Sequence, residues 1–246
     1  MFQRFLYLIC LTACVTAQAT TLKFCYESKE LLPHYRGEGV LTPSEKPGAA
    51  IEIVQKLDEM LSKVQIEFVR EPWKRCLNDL KLGKVDALIA RHSVSRETFA
   101  KYPKTINNEL DNERAISSTA TCFIHKKNVP LKWNGHELLV DMPQGISVPR
   151  GYSLVEDLKK KGFQIYETVS VKQAHELLFN GRVGISLSDC KHKELPADYV
   201  ENKKPLVENY GYLVFSQQFY SLYPNLAEDL WNQLMKIDDK LFYSKY

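Results

Sequence analysis

The chain has 246 residues, enough for one large domain or two small ones with a sizeable core. Hydrophobic residues make up 44% and charged residues 26%, an ordinary globular balance. The formal charge of +3 is small and its basic residues are dispersed, which argues against a nucleic-acid or anionic-membrane partner.

At the N-terminus, Arg4 precedes the apolar run Phe5 to Val15, and Ala17-Gln18-Ala19 follows as a small-x-small pattern. This predicts a secretory signal peptide over residues 1–19, too short to span a bilayer comfortably, and hence a periplasmic protein. Leu11-Thr12-Ala13-Cys14 offers a rival reading, a lipobox that would leave Cys14 lipidated. Strand-like sequence beginning at Leu22 favours cleavage after Ala19 instead.

Strands and helices then alternate. Leu22 to Tyr26 reads as a strand. Ala49 to Lys63 places Ile51, Val54, Leu57, Met60 and Leu61 at helical spacing. Val64 to Val69 alternates like a strand, Trp73 to Leu82 is helical and stops at Gly83, and Val85 to Ala90 is a buried strand. This βαβαβ order implies a parallel sheet with helices on its faces. The Gly/Pro-rich stretch from Tyr35 to Pro47 reads as a mobile loop.

A second unit follows: strands at Thr121 to His125 and Gly145 to Val148, a helix over Ser153 to Lys161, a strand at Phe163 to Tyr166, a helix over Val171 to Phe179, and a strand at Val183 to Leu187. The run Lys159-Lys160-Lys161 is a solvated helix end. Leu82-Gly-Lys-Val-Asp-Ala-Leu and Asn180-Gly-Arg-Val-Gly-Ile-Ser echo one another as helix stop, basic residue and buried strand. Two such α/β lobes place a cleft at the carboxyl ends of their sheets. The tail from Pro224 to Phe242 reads as one helix, with Leu226, Leu230, Leu234 and Ile237 on one stripe.

Without residues 1–19 the chain keeps four cysteines, Cys25, Cys76, Cys122 and Cys190. In an oxidising compartment an even count suggests two disulfides, in any of three pairings; buried free thiols are the alternative. No CxxC pair is present. The six histidines, at 34, 92, 125, 136, 175 and 192, show no metal-binding spacing such as HExxH. Nor is there a GxSxG, Walker A or GxGxxG motif, so neither metal nor cofactor is expected.

Several segments, weak singly, are specific in their order: Leu22-Lys-Phe-Cys-Tyr followed by Pro33; Gly48 before the first helix; Pro72-Trp73-Lys-Arg-Cys76; Leu82-Gly83-Lys-Val-Asp86; Val148-Pro-Arg-Gly151; and Asn180-Gly-Arg-Val with Asp189. Through them the chain resembles the family 3 extracellular solute-binding proteins, which include the polar amino-acid receptors of ABC importers. Its Trp-x-Arg-Cys segment is similar to a subgroup whose members often have unassigned ligands. The resemblance implies a type II periplasmic-binding fold, with residues 20–117 and 216–246 in one lobe and 118–215 in the other. Hinge strands would lie near Ser117 to Cys122 and Tyr210 to Phe215. It also implies disulfides Cys25–Cys76 and Cys122–Cys190, each within a lobe.

Candidate ligand-binding residues follow. Trp73, between a strand and a helix, matches the family's aromatic cleft wall; otherwise it is an ordinary core or surface tryptophan. Arg75 points elsewhere on that helix, to the cleft or to an ion pair. Asp189 matches the carboxylate that holds a ligand's ammonium; otherwise it caps a helix. Gly151 and Ser153 open a helix whose free N–H groups suit an anion, unless Ser153 merely caps it. Arg150 and Tyr152 flank that turn at the cleft mouth, and His92 could approach it. Ser93 and Ser95 match the Ser/Thr-x-Thr-x-x-Arg pattern that amino-acid receptors carry here, which makes Ser93 a ligand candidate, but Thr98 stands in the arginine's place. Arg91 and Arg96 are the nearby substitutes for binding an anion; Arg91, directly after the strand end, is the better, and Arg96 otherwise reads as solvated. A standard L-amino acid is thereby put in doubt, while an anionic or zwitterionic ligand still fits.

The expected function is capture of a small polar molecule by a monomer, for an ABC permease or a membrane sensor. One alternative is an enzyme resembling the cyclohexadienyl or arogenate dehydratases, for which Glu27 is the nearest acid/base candidate. With no activated pair evident, binding rather than catalysis is expected. Another is an interaction module that has lost its ligand.

Overall fold

The structure is a computed structural model that describes residues 19–246 except 130, 135–136, 139–143, 191–194 and 203. The expected signal peptide (but for Ala19), Cys14, His136, His192 and the helix expected after Cys190 lie outside the described residues.

The first βαβαβ unit forms as the sequence pattern requires. β1 (Thr20–Glu27) pairs in parallel with β2 (Val64–Glu71) along its whole length and with β3 (Ala87–Arg91) at Phe24↔Ala87. Helices α1 (Ala49–Met60) and α2 (Trp73–Lys81) cross between them. The helical stripe of α1 buries Ile51, Val54 and Leu57 as expected. It ends at Met60, because Leu61 takes extended backbone. Beyond α2 come a short helix α3 (Val94–Glu97) and strand β4 (Ala100–Lys101).

The second unit repeats the arrangement. β6 (Ile146–Pro149) pairs in parallel with β7 (Ile165–Thr168) and β8 (Ile185–Asp189), with α4 (Leu154–Lys160) and α5 (Val171–Phe179) between them. Ser170 caps α5 by accepting a hydrogen bond from the Gln173 N–H at 3.1 Å.

Two long strands join the units. β5 (Ala115–Lys126) and β10 (Val207–Ser216) run antiparallel from Val207↔Thr121 to Tyr212↔Ala115, with an irregularity at Gly211/Tyr212. β10 continues onto β3 and β4, whereas β5 continues onto β8 and β9 (Tyr199–Glu201). The strand order β2-β1-β3-β10-β5-β8-β6-β7 therefore forms one hydrogen-bonded ladder through the two crossing strands. The segments expected as hinges lie within them.

The buried core does not follow that continuity. Two clusters join Leu22 to Ile116 with Tyr212 to Leu234, on opposite faces of the first unit. Two others hold Phe123, Ile146, Val148 and Ile185, and Ile124, Leu178 and Tyr199. Among the described residues no buried cluster mixes the two sets. This is the two-lobed α/β architecture with crossing strands.

Both expected disulfides are present: Cys25–Cys76 ties β1 to α2, and Cys122–Cys190 ties β5 to the residue after β8. Two expectations are corrected. The tail is not one helix but α7 (Pro224–Leu234) and α8 (Asp239–Tyr243), preceded by α6 (Gln217–Leu222). Asp238 starts α8 anew by accepting from the Lys240 N–H at 3.1 Å. Leu226, Leu230 and Leu234 are buried, and Ile237 still packs on their cluster from the break. The loop after Tyr35 is also tethered. The buried Arg70 donates to the carbonyls of Leu41 at 2.9 Å and Gly37 at 2.7 Å, over the Tyr26 ring.

Candidate functional site

The site begins with a glycine. Gly48, at φ +114, precedes α1, and a Cβ there would lie 2.2 Å from the His34 carbonyl oxygen. Only glycine permits that approach. It allows the free N–H groups of Ala49 and Ala50 to donate to the Pro33 and His34 carbonyls at 2.9 and 3.3 Å. His34 is thus held against the start of α1. Its Nδ1 lies 3.0 Å from the Tyr243 hydroxyl of α8, and its Nε2 lies 3.2 Å from Asp189 Oδ2.

Asp189 ends β8 in the second lobe, and Arg91 ends β3 in the first. Arg91 Nη2 donates to Asp189 Oδ1 at 2.9 Å, and its two Nη groups donate to Thr121 and Thr119 of β5 at 2.7 and 3.1 Å. The Arg91 carbonyl accepts from Arg96 Nη1 at 2.6 Å and from Tyr102 at 3.1 Å. Burial pushes the Asp189 carboxyl up, but the hydrogen bonds and charges of His34 and Arg91 outweigh it and hold the group below its ordinary value.

A second contact joins the lobes. The Gly151 carbonyl accepts from Trp73 Nε1 at 3.3 Å and from Arg96 Nη2 at 2.7 Å. The Arg96 guanidinium lies 5.8 Å from the Trp73 ring centre. Gly151 has φ +82, and a Cβ there would touch Trp73 and Leu77 at 3.4 Å. Arg96, expected to be solvated, is 6% exposed; burial lowers its pKa, and Tyr102 partly counters this.

Glu27 ends β1 with 5% exposure. Burial raises its carboxyl to about 7, against a smaller lowering by Lys29. Tyr152 faces the same interior: burial drives its phenol far up, the Glu27 charge adds to this, and Arg91 opposes it.

Of the predicted residues, Trp73, Arg91, Gly151 and Asp189 meet across the lobes, with Glu27 and Tyr152 close by. The others do not join them. Arg75 has a 68% exposed side chain and lies 3.7 Å from the Glu71 carboxylate at the end of β2, so of its two readings the ion pair is the one formed. Arg150 is exposed beside Glu167. Ser93 Oγ lies 3.2 Å from Ser95 Oγ, and Thr98 donates back to the Ser95 carbonyl at 2.8 Å. Ser153 has helical backbone and makes no capping bond. At Gly151 the carbonyl makes the contacts between the lobes. His92 pairs with Glu97 at 3.1 Å and lines a cavity of about 350 Å³ with Leu110, Asn112, Glu208, Tyr210 and Tyr212. Sequence reasoning missed His34 and Tyr243, and it read Arg96 as solvated. Among the described residues no cluster of His, Cys, Asp and Glu is suited to a metal, and no helix is long and apolar enough to cross a membrane.

No family model matches the chain, and no curated protein matches it. Solved structures do. A histidine kinase sensor domain with similarity to periplasmic binding proteins superposes at TM-score 0.71 and 14% identity, over 93% of this chain and 96% of that one. Holo ArgBP from T. maritima matches at TM-score 0.64 and 14% identity, over 88% and 89%. An ancestral amino acid-binding protein, a precursor of cyclohexadienyl dehydratase, matches at TM-score 0.65 and 15% identity, over 92% and 94%. At such identities the likeness is one of fold: this chain has a two-lobed periplasmic-binding-protein-like fold.

Proposed function

We propose that this chain, with its periplasmic-binding-protein-like fold, is an exported solute-binding protein of the family 3 kind, in the Trp-x-Arg-Cys subgroup. It captures a small polar molecule, amino-acid-like or carboxylate-bearing, between lobes formed by residues 20–117 with 216–246 and by residues 118–215. Residues 1–19 serve as its signal peptide, and it works in the periplasm as a monomer. The two disulfides fit an oxidising compartment. One observation carries the reading: Arg91 and Asp189, opposite charges from opposite lobes, meet partly shielded from solvent, and Tyr152 feels the charges of both and of Glu27. A zwitterion can exchange with such a pair, its anion taking Arg91 and its cation taking Asp189 or Glu27. An ABC permease or a membrane sensor would read the bound state, and similarity to both a kinase sensor domain and ArgBP supports either partner.

The test is a thermal-shift screen of the mature protein against small metabolites. A true ligand raises the melting temperature by mass action, about 2.7 kcal/mol of stabilisation at a hundredfold excess over Kd. Silence across amino acids, carboxylates and amines would refute the reading. We take binding rather than turnover as the activity. The rival enzyme reading draws on Glu27, whose carboxyl at about 7 suits proton transfer, and on the dehydratase-precursor neighbour. Turnover of a cyclic acid of the arogenate type would favour it.

A further inference from the structure

A receptor of this kind closes because ligand bridges its lobes, yet here the chain's own side chains already bridge them. Arg91 and His34 of the first lobe occupy both oxygens of Asp189, at 2.9 and 3.2 Å. Trp73 and Arg96 hold the Gly151 carbonyl at 3.3 and 2.7 Å. Every donor comes from the first lobe and every acceptor from the second.

We propose that Arg91, His34 and Asp189 form an internal latch that holds the lobes together through the chain's own side chains. The arms of the latch are set before it closes. Arg96 and Tyr102 of the first lobe pin the Arg91 backbone from behind, while Thr121, the ladder partner of Asp189, and Thr119 accept from the guanidinium on the far side along with that carboxylate. His34 is fixed by the close approach of Gly48. With Nε2–H donating to Asp189, its Nδ1 accepts from the Tyr243 hydroxyl at 3.0 Å, over rings set edge to face. Little conformational entropy is therefore lost on closing. The paired side chains are 23%, 13% and 29% exposed for Arg91, His34 and Asp189, so solvent screens them less than it would a surface pair. On the receptor reading, which this step alone presupposes, ligand acts by displacing the latch rather than by supplying the bridge.

Small-angle X-ray scattering of the mature protein without ligand tests the latch, whatever the outcome of the ligand screen. The wild type is expected to give the compact radius of gyration of the closed form. Asp189→Asn and Arg91→Gln, which break the pair from either side, are expected to give a larger one, while Lys160→Ala on the exposed face of α4 leaves it unchanged. An open wild type overturns the proposal, and so does either variant staying compact while folded by circular dichroism. Should a single variant fail to fold, the charge-exchanged Arg91→Asp/Asp189→Arg chain decides: recovered compactness supports the latch, and an open or unfolded chain overturns it.

Discussion

A carboxylate at the end of a strand ordinarily reaches water, but Glu27 is 5% exposed and its pKa is raised by burial from 4.5 to about 7. Folding therefore favours its protonated form. Below pH 4.5 the group is protonated in both folded and unfolded chains, and it costs nothing. Between 4.5 and 7 the unfolded chain ionises it while the fold resists, so stability falls as pH rises. Above about 7 the loss is complete, on the order of 3 kcal/mol. Glu27→Gln should leave stability unchanged near pH 4 and raise it at pH 8, as measured by urea unfolding at both values. A variant less stable at pH 8 would show that the Glu27 charge is compensated in the fold. Arg91, Asp189 and Glu27 were legible in the sequence because each ends a strand whose pattern is plain. His34 was not, since its place depends on how closely Gly48 approaches it, which no local pattern encodes. Arg96 lies on a four-residue helix too short to show a buried face.

Elements carried the same contrast. The stripe of α1 and the Gly83 stop of α2 follow directly from residue spacing. The tail was misread because its apolar stripe persists through a break made by one side chain, the Asp238 cap. The crossing strands gave a weaker signal: Ser, Thr and Ala over 117–121 carry little hydrophobic alternation, and Ala115 to Ala120 find their partners far along the chain in β10. The disulfides are a test at this scale. Their sequence separations, 51 and 68, differ too little to matter: loop entropy alone would favour the longer by only about 0.2 kcal/mol. Burial decides instead. Cys25 and Cys76 are fully buried, while Cys190 is half-buried. Cys25→Ala/Cys76→Ala should therefore lower stability by more than the usual 2–4 kcal/mol for a lost bridge, because it also leaves a cavity. Cys122→Ala/Cys190→Ala should stay within that range. Urea midpoints in the reverse order would show that the second bridge, beside Asp189, braces more of the molecule than its lobe.

At the scale of the whole molecule, the echo between the two halves made two lobes legible, but nothing local showed that they would meet through their own charges. The three tryptophans can report that meeting. Trp231 is 1% exposed and donates to the Leu213 carbonyl at 2.7 Å within the first lobe. Trp133 packs edge-on against Phe123 at 5.4 Å and donates to the Pro205 carbonyl at 3.1 Å within the second. Among the described tryptophans only Trp73 bonds across the cleft, to Gly151, with Arg96 beside its ring. If the lobes move as rigid bodies about β5 and β10, opening changes the surroundings of Trp73 and leaves the other two as they are. Breaking the latch with Asp189→Asn should therefore shift the tryptophan emission to longer wavelength, as Trp73 loses its partner and gains water. Adding Trp73→Phe to that variant should abolish the shift, while scattering still finds the chain expanded. A shift that survives in Trp73→Phe would place the change at Trp133 or Trp231, inside a lobe, and the motion would then be a loosening of the cores rather than a hinge.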